Sequence, residues 1–255
     1  MIVTLLQTDI QWANPEENIL QAERLMSSQP GADLYVLPEM WATGFATKPM
    51  DVAEDEQDSV SLRWMQETAK RLGCALSGSL AVRTEDGLYR NRHYFVSPNE
   101  TVFYDKHHLF TYGHEDRYFT AGQEHTVVNY QGVNILLLTC YDLRFPLLSR
   151  YGLAGTYDLI ICVANWPDSR QLPWRYLTRA RAIENQCFLV GVNRVGSDVF
   201  CNYQGESLAC NSGGETLVLC GDQAEAKTVN LDFEALKKVR ERFRVLEDRD
   251  TVYSL

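Results

Sequence analysis

Polar and apolar positions along the 255-residue chain fall into two rhythms. Short, nearly continuous apolar runs read as strands; longer segments with apolar positions three and four apart read as helices. Strands are expected at Ile2–Thr8, Leu34–Leu37, Ala75–Val82, His93–Val96, Val102–Tyr104, Val133–Thr139, Leu159–Ala164 and Phe188–Val192. Three more are expected near Gly205–Ala209, Thr216–Leu219 and Lys227–Leu231. Val133–Thr139 and Leu159–Ala164 have almost no polar face, the pattern of strands covered on both sides. Helices are expected at Pro15–Met26 behind an Asn14 cap and at Ser59–Leu72 before a Gly73 stop. Two further helices are expected at Pro173–Gln186 and Phe233–Phe243, the last with Phe233, Leu236, Val239 and Phe243 on one side. Asn211-Ser-Gly-Gly214 reads as a hairpin turn, and the acidic stretch Thr47–Asp58 as either an active-site lid or a solvated insert.

Strands alternating with helices imply an α/β layered domain, and the late strands imply a mixed sheet. No linker, low-complexity tract or repeat interrupts the pattern, so one domain over residues 1–255 is expected.

Charge removes some partners. With 24 Lys+Arg against 34 Asp+Glu, the net charge is −10. Nucleic acids and anionic membranes need a basic face, so neither is expected as a partner. No stretch approaches the ~18 uncharged apolar residues of a membrane span. The opening MIVTLLQTDIQW lacks a basic region ahead of its apolar run and reads as a strand rather than a signal peptide. Seven cysteines, an odd number without a CxxC pair, argue against a disulfide scaffold or a four-cysteine zinc site. Free thiols suit a reducing compartment, and the cytoplasm is the expected location.

Three strands end on residues with chemistry. Glu39 follows Leu34-Tyr-Val-Leu-Pro38, Lys106 follows Val102-Phe-Tyr-Asp105, and Cys140 follows Ile135-Leu-Leu-Leu-Thr139. The carboxyl ends of strands are where layered α/β folds bind ligands. Taken singly, each has an ordinary explanation: cysteine is a common core residue, and Glu or Lys a common surface ion pair.

Their surroundings are more specific. Leu37-Pro-Glu-Met40, Tyr104-Asp-Lys-His-His-Leu-Phe110 and Cys140-Tyr-Asp-Leu-Arg-Phe-Pro146 resemble, in order and spacing, three signature segments of the nitrilase superfamily of carbon–nitrogen hydrolases. Ala164-Asn-Trp-Pro167, Arg179–Gln186, Gly191–Gly196 and Asn211–Glu215 extend the resemblance over roughly the whole chain. Met40–Phe45, Asp105–Phe110, Ala164–Arg170 and Asn193–Asp198 are most similar to the bacterial omega-amidase branch. Leu147 departs from the pattern, standing where many relatives carry glutamate.

The resemblance implies a four-layer αββα sandwich, two mixed sheets face to face with helices outside, and association into a homodimer. It implies hydrolysis of the terminal amide of small 2-oxo dicarboxylic monoamides through a cysteine thioester, without a cofactor. Cys140 would be the nucleophile, Glu39 the base, and Lys106 with the Tyr141 backbone N–H the oxyanion donors. Glu115 would hold Lys106 or the substrate amide. A substrate carboxylate needs cations, for which Arg144 and Arg170 are candidates, with Phe45 and Trp166 as walls. Arg144 could equally be an ion-pair partner of Asp142. Arg181 and Glu184 read as structural or subunit contacts, and Lys237–Arg244 as a solvated charged helix face.

Other readings remain open. His107, His108, His114, Glu115 and Cys140 could be assembled into a metal site, although adjacent histidines on a strand point to opposite faces. Nitrile, N-carbamoyl amide or deaminated glutathione hydrolysis would use the same three residues. A catalytically idle binding member of the fold is the non-enzymatic alternative.

Overall fold

The computed structural model describes residues 1–250, so the last five residues of the expected domain lie outside it. The elements in order are β1 (Ile2–Gln7), α1 (Pro15–Ser28), β2 (Leu34–Val36), β3 (Glu54–Asp55), α2 (Val60–Leu72), β4 (Ala75–Arg83), β5 (Tyr89–Val96) and β6 (Thr101–Asp105). They continue as β7 (Val127–Tyr130), β8 (Val133–Thr139), β9 (Leu159–Ala164), α3 (Gln171–Glu184), β10 (Phe188–Asn193), β11 (Val195–Ser197) and β12 (Asn202–Gln204). The remainder are β13 (Leu208–Cys210), β14 (Thr216–Leu219), β15 (Glu225–Asn230) and α4 (Phe233–Arg242).

Two mixed sheets result. One runs β15-β1-β2-β4-β5-β6, with β3 added beside β4; the other runs β14-β13-β10-β9-β8-β7. In each, a central parallel trio (β1, β2, β4 and β8, β9, β10) is flanked by antiparallel strands. Leu5, Val36 and Phe95 from one sheet meet Ile135, Ile161 and Val190 from the other in a shared core. Met26, Met65 and Ala69 of α1 and α2 cover the outer face of the first sheet, and Trp174 and Ala182 of α3 cover that of the second. This is the expected αββα order. Alternation explains the apolar strands: Ile135 and Leu137 of β8 face the intersheet core, while Leu136 and Leu138 face α3.

The helix ends follow their sequence signals. Asn14 accepts from the Glu17 amide at 3.2 Å, Ser59 from the Leu62 amide at 2.9 Å, and Gly73 takes the left-handed conformation at φ 66°. Helix α3 begins two residues before Pro173, which sits in the first turn where its missing N–H would have no intrahelical acceptor anyway. On α4 only Leu236 of the expected apolar side is buried, and Val239 and Phe243 are exposed.

Two readings change more. Strand β5 starts at Tyr89 rather than His93, because Arg92 pairs with Asp105 at 2.7 Å and lies over the Phe103 ring. Partnered polar side chains can sit on a buried strand; the pattern of polar letters hides it. Within the stretch Thr47–Asp58, residues 54–56 are pinned: Glu54 accepts from Ser59 and Ser61, Glu56 pairs with Arg92 at 2.7 Å, and β3 lies beside β4.

Candidate active site

Strands that run the same way place their carboxyl ends on one side of the sandwich, and the ends of the parallel strands β2, β8 and β9, with that of the edge strand β6, supply the site. Glu39 follows β2, Lys106 follows β6, Cys140 follows β8, and Asn165 follows β9. Glu115 arrives on a short 3-10 turn after the Lys106 segment. The side chains of Glu39, Lys106 and Glu115 have no solvent exposure. Lys106 Nζ lies 2.8 Å from Glu39 Oε1 and 2.9 Å from Glu115 Oε2. The other Glu39 oxygen accepts from the Asn165 amide at 2.9 Å, and Asn165 Nδ2 donates to the Glu39 carbonyl at 2.6 Å. Cys140 Sγ is 3.9 Å from the Asn165 carbonyl oxygen, which sets the thiol beside the same network.

Backbone strain marks two of these junctions. Cys140 has φ 48° and Met40, directly after Glu39, φ 43°, conformations that side-chain-bearing residues rarely adopt. At Cys140 the strained residue turns β8 into a 3-10 segment, Cys140–Arg144, and lifts the thiol out of the sheet. Asp142 stabilises this turn by accepting from the Thr139 amide at 3.1 Å, Tyr104 Oη at 2.8 Å and the His108 amide at 2.8 Å. Tyr141 is the second residue of the turn, so its N–H has no intrahelical acceptor and is available as a donor.

The charges constrain one another. Burial opposes the Lys106 charge, yet Glu115 and Glu39 outweigh it and hold Lys106 well above its ordinary pKa. Burial raises the pKa of Glu115, while Lys106 opposes that rise and Glu39 adds to it. Every neighbour of Glu115 is nonetheless a donor: Lys106, Asn91 at 2.9 Å and the Phe110 amide at 2.6 Å. A protonated carboxyl would find nothing to donate to, so the geometry holds Glu115 ionised. Burial and then Glu39 push the Cys140 thiol well above its ordinary value, against a smaller pull from Lys106. At neutral pH Cys140 is a thiol that needs a base.

Cys140 lies on a cleft of about 720 Å³. All four expected subsite residues line it: Phe45, Arg144, Trp166 and Arg170. The Arg144 guanidinium lies 4.9 Å from the Trp166 ring centre and that of Arg170 5.3 Å from the Phe110 ring centre. The Asp142 partnership considered for Arg144 is not formed, because Tyr104, His108 and the Thr139 backbone occupy that carboxylate. Neither arginine has an acidic partner within 4 Å among the described residues. The histidines do not gather around Cys140. His108 Nδ1 lies 3.2 Å from Asp142 and its ring stacks on Phe145, and no group of three metal-binding side chains exists among the described residues. Arg181 is structural, donating to the Leu143 carbonyl at 2.8 Å and to Glu184 at 2.9 Å.

Two supporting residues escaped the sequence reading. Asn165 lies inside Ala164-Asn-Trp-Pro167, a segment that by sequence assigns it no role. Asn91 lies two residues ahead of the expected start of β5, where the sequence shows no apolar strand pattern. Its alternation with His93 and Phe95 on one side of a strand was the available signal.

The carbon–nitrogen hydrolase family profile matches residues 2–241. The chain is 40% identical to omega-amidase YafV of Escherichia coli K12 over 97% of its length and 96% of that protein. It is 34% identical to the 2-oxoglutaramate amidase of Bacillus subtilis over 96% of both. Its fold is similar to XC1258 of Xanthomonas campestris, a CN-hydrolase superfamily protein solved with an arsenic adduct in the active site. That likeness has a TM-score of 0.95 and 36% identity, and covers 100% of this chain and 99% of the other. The chain is therefore a member of the carbon–nitrogen hydrolase family, within the nitrilase superfamily, and a hydrolase of carbon–nitrogen bonds other than peptide bonds.

Proposed function

We propose that this enzyme is an omega-amidase, hydrolysing the terminal amide of short 2-oxo dicarboxylic monoamides such as 2-oxoglutaramate and 2-oxosuccinamate. The observation that carries the reading is the buried Glu39–Lys106–Glu115 cluster beside Cys140, at a cleft that also holds two arginines without acidic partners among the described residues. Similarity to an omega-amidase and a 2-oxoglutaramate amidase supports the substrate class.

The geometry supports the following chemistry. Glu39 takes the Cys140 proton as sulfur attacks the amide carbon. The carbonyl oxygen becomes an oxyanion held by the Lys106 ammonium and the Tyr141 N–H; losing one such donor typically slows turnover ~10²–10³-fold. The carbon–nitrogen bond then breaks as Glu39 passes its proton to nitrogen, releasing ammonia and leaving a thioester. Glu39 next deprotonates water, which attacks the thioester; the proton returns to the Cys140 sulfur and the acid leaves. Glu115 fixes Lys106. Arg144 and Arg170 receive the distal carboxylate, while Phe45 and Trp166 wall the cleft.

The exposed Leu172, Tyr176 and Ile183 of α3 fall on one helix face and support the homodimer. Among the described residues no helix is long and apolar enough to cross a membrane. The seven free cysteines support a cytoplasmic enzyme. The test is ammonia release from a panel: 2-oxoglutaramate, 2-oxosuccinamate, glutamine, an N-carbamoyl amide and a nitrile. The 2-oxo monoamides should give the highest kcat/KM. Preference for a nitrile or an N-carbamoyl amide would overturn the substrate assignment and leave the family intact.

A further inference from the structure

Asn91 touches every member of the buried cluster. Its backbone carbonyl accepts from the Lys106 amide at 3.0 Å. Its side-chain nitrogen donates to Glu39 Oε1 at 2.8 Å and to Glu115 Oε1 at 2.9 Å. That nitrogen carries two hydrogens, so each carboxylate receives one and none is spare. The amide cannot turn over. Ser79 Oγ accepts from the Met40 amide at 2.9 Å and therefore spends its own hydrogen on Asn91 Oδ1, also at 2.9 Å. A relay runs from the strained backbone beside Glu39, through Ser79, to the amide that bridges both carboxylates. Asn91 is 1% exposed, so these bonds lie away from bulk solvent.

Two buried carboxylates close enough to share donors repel each other, and Lys106 supplies only one positive charge. The titratable groups around Asn91 are Glu39, Lys106, Glu115 and His93 on its own strand, with Cys140 and Cys162 beyond them.

We infer that Asn91 is a positioning residue of the reaction: its amide bridges Glu39 and Glu115, keeps both proton-free, and so keeps Glu39 ready to accept the Cys140 proton. This rests on Glu39 acting as the base in the proposed mechanism. Without the amide, one carboxylate of the pair retains a proton at higher pH, and the base is lost from the acid side of the profile upward.

The test compares wild type with Asn91→Ala, Asn91→Asp and Ser79→Ala. It follows the alkylation of Cys140 by iodoacetamide across the pH range in which carboxylates and thiols titrate. Alkylation needs no substrate, so a wrong substrate assignment leaves this readout intact. For Asn91→Ala the acid limb should move up by about one pH unit or more, and Asn91→Asp should move it at least as far. Ser79→Ala, which frees the amide to turn, should give a smaller shift in the same direction. Folding is checked by circular dichroism, and Ser79→Ala alone decides if the Asn91 variants do not fold. Folded variants that are slower at every pH with an unmoved limb would overturn the inference, as would an unmoved limb in Ser79→Ala.

Discussion

At the scale of single residues, Glu115 shows how the site resists being simplified. Its carboxylate has donors on every side and no solvent exposure, so Glu115→Ala strands the Lys106 charge beside one remaining partner. Breaking a buried pair costs about 3–5 kcal/mol, which urea denaturation of the variant should show. Glu115→Gln keeps the shape but aims an N–H at a donor. It should fold better than the alanine variant and lose kcat by about 10²-fold or more, while an unchanged kcat would contradict a role in holding Lys106. Glu39, Lys106 and Cys140 stand out in the sequence because each follows an apolar strand, whereas Glu115 is singled out by the family resemblance alone. Asn91 does not stand out, because its importance lies in two hydrogen bonds to residues 52 and 24 positions away. Arg144 and Asp142 are close enough in sequence to pair; the three other donors on that carboxylate explain why they do not.

At the scale of elements, β5 ties the two sheets beneath the site. His93, two residues past Asn91, bonds Ser77 Oγ through Nε2 at 2.8 Å and the Leu138 carbonyl through Nδ1 at 3.1 Å, two residues before Cys140. Burial pushes its pKa from 6.5 down to about 3. The unfolded chain therefore binds a proton that the folded chain refuses between those values. This contribution leaves stability intact above about pH 6.5 and erodes it as pH falls, by up to about 5 kcal/mol near pH 3. Denaturation midpoints measured against pH should fall steeply through that window, and more shallowly for His93→Gln. Identical curves would mean that His93 is not held neutral in the fold. The apolar strands β8 and β9 were plain in the sequence, since each face packs on apolar neighbours. The short strands β3, β7, β11 and β12 were not, because a few residues carry no period.

At the scale of the whole molecule, an acidic chain presents cationic side chains at its cleft. The net charge is −10, yet Lys48, Arg144 and Arg170 line the pocket. The layered architecture was legible because strand and helix rhythms alternate from end to end. Association is expected from the resemblance, and the exposed apolar face of α3 is where we propose it occurs. Sedimentation should find a dimer, and Tyr176→Glu, on a side chain 66% exposed in the single chain, should shift it towards monomer. A monomeric wild-type protein would contradict the homodimer.

The decisive observation is the covalent intermediate. Wild-type enzyme turning over 2-oxoglutaramate is quenched in acid, digested and examined by mass spectrometry, beside Cys140→Ala. A 2-oxoglutaryl thioester on the Cys140 peptide, absent from the alanine variant along with all ammonia release, is the expected result. Ammonia release that survives in Cys140→Ala would contradict the mechanism at its first step.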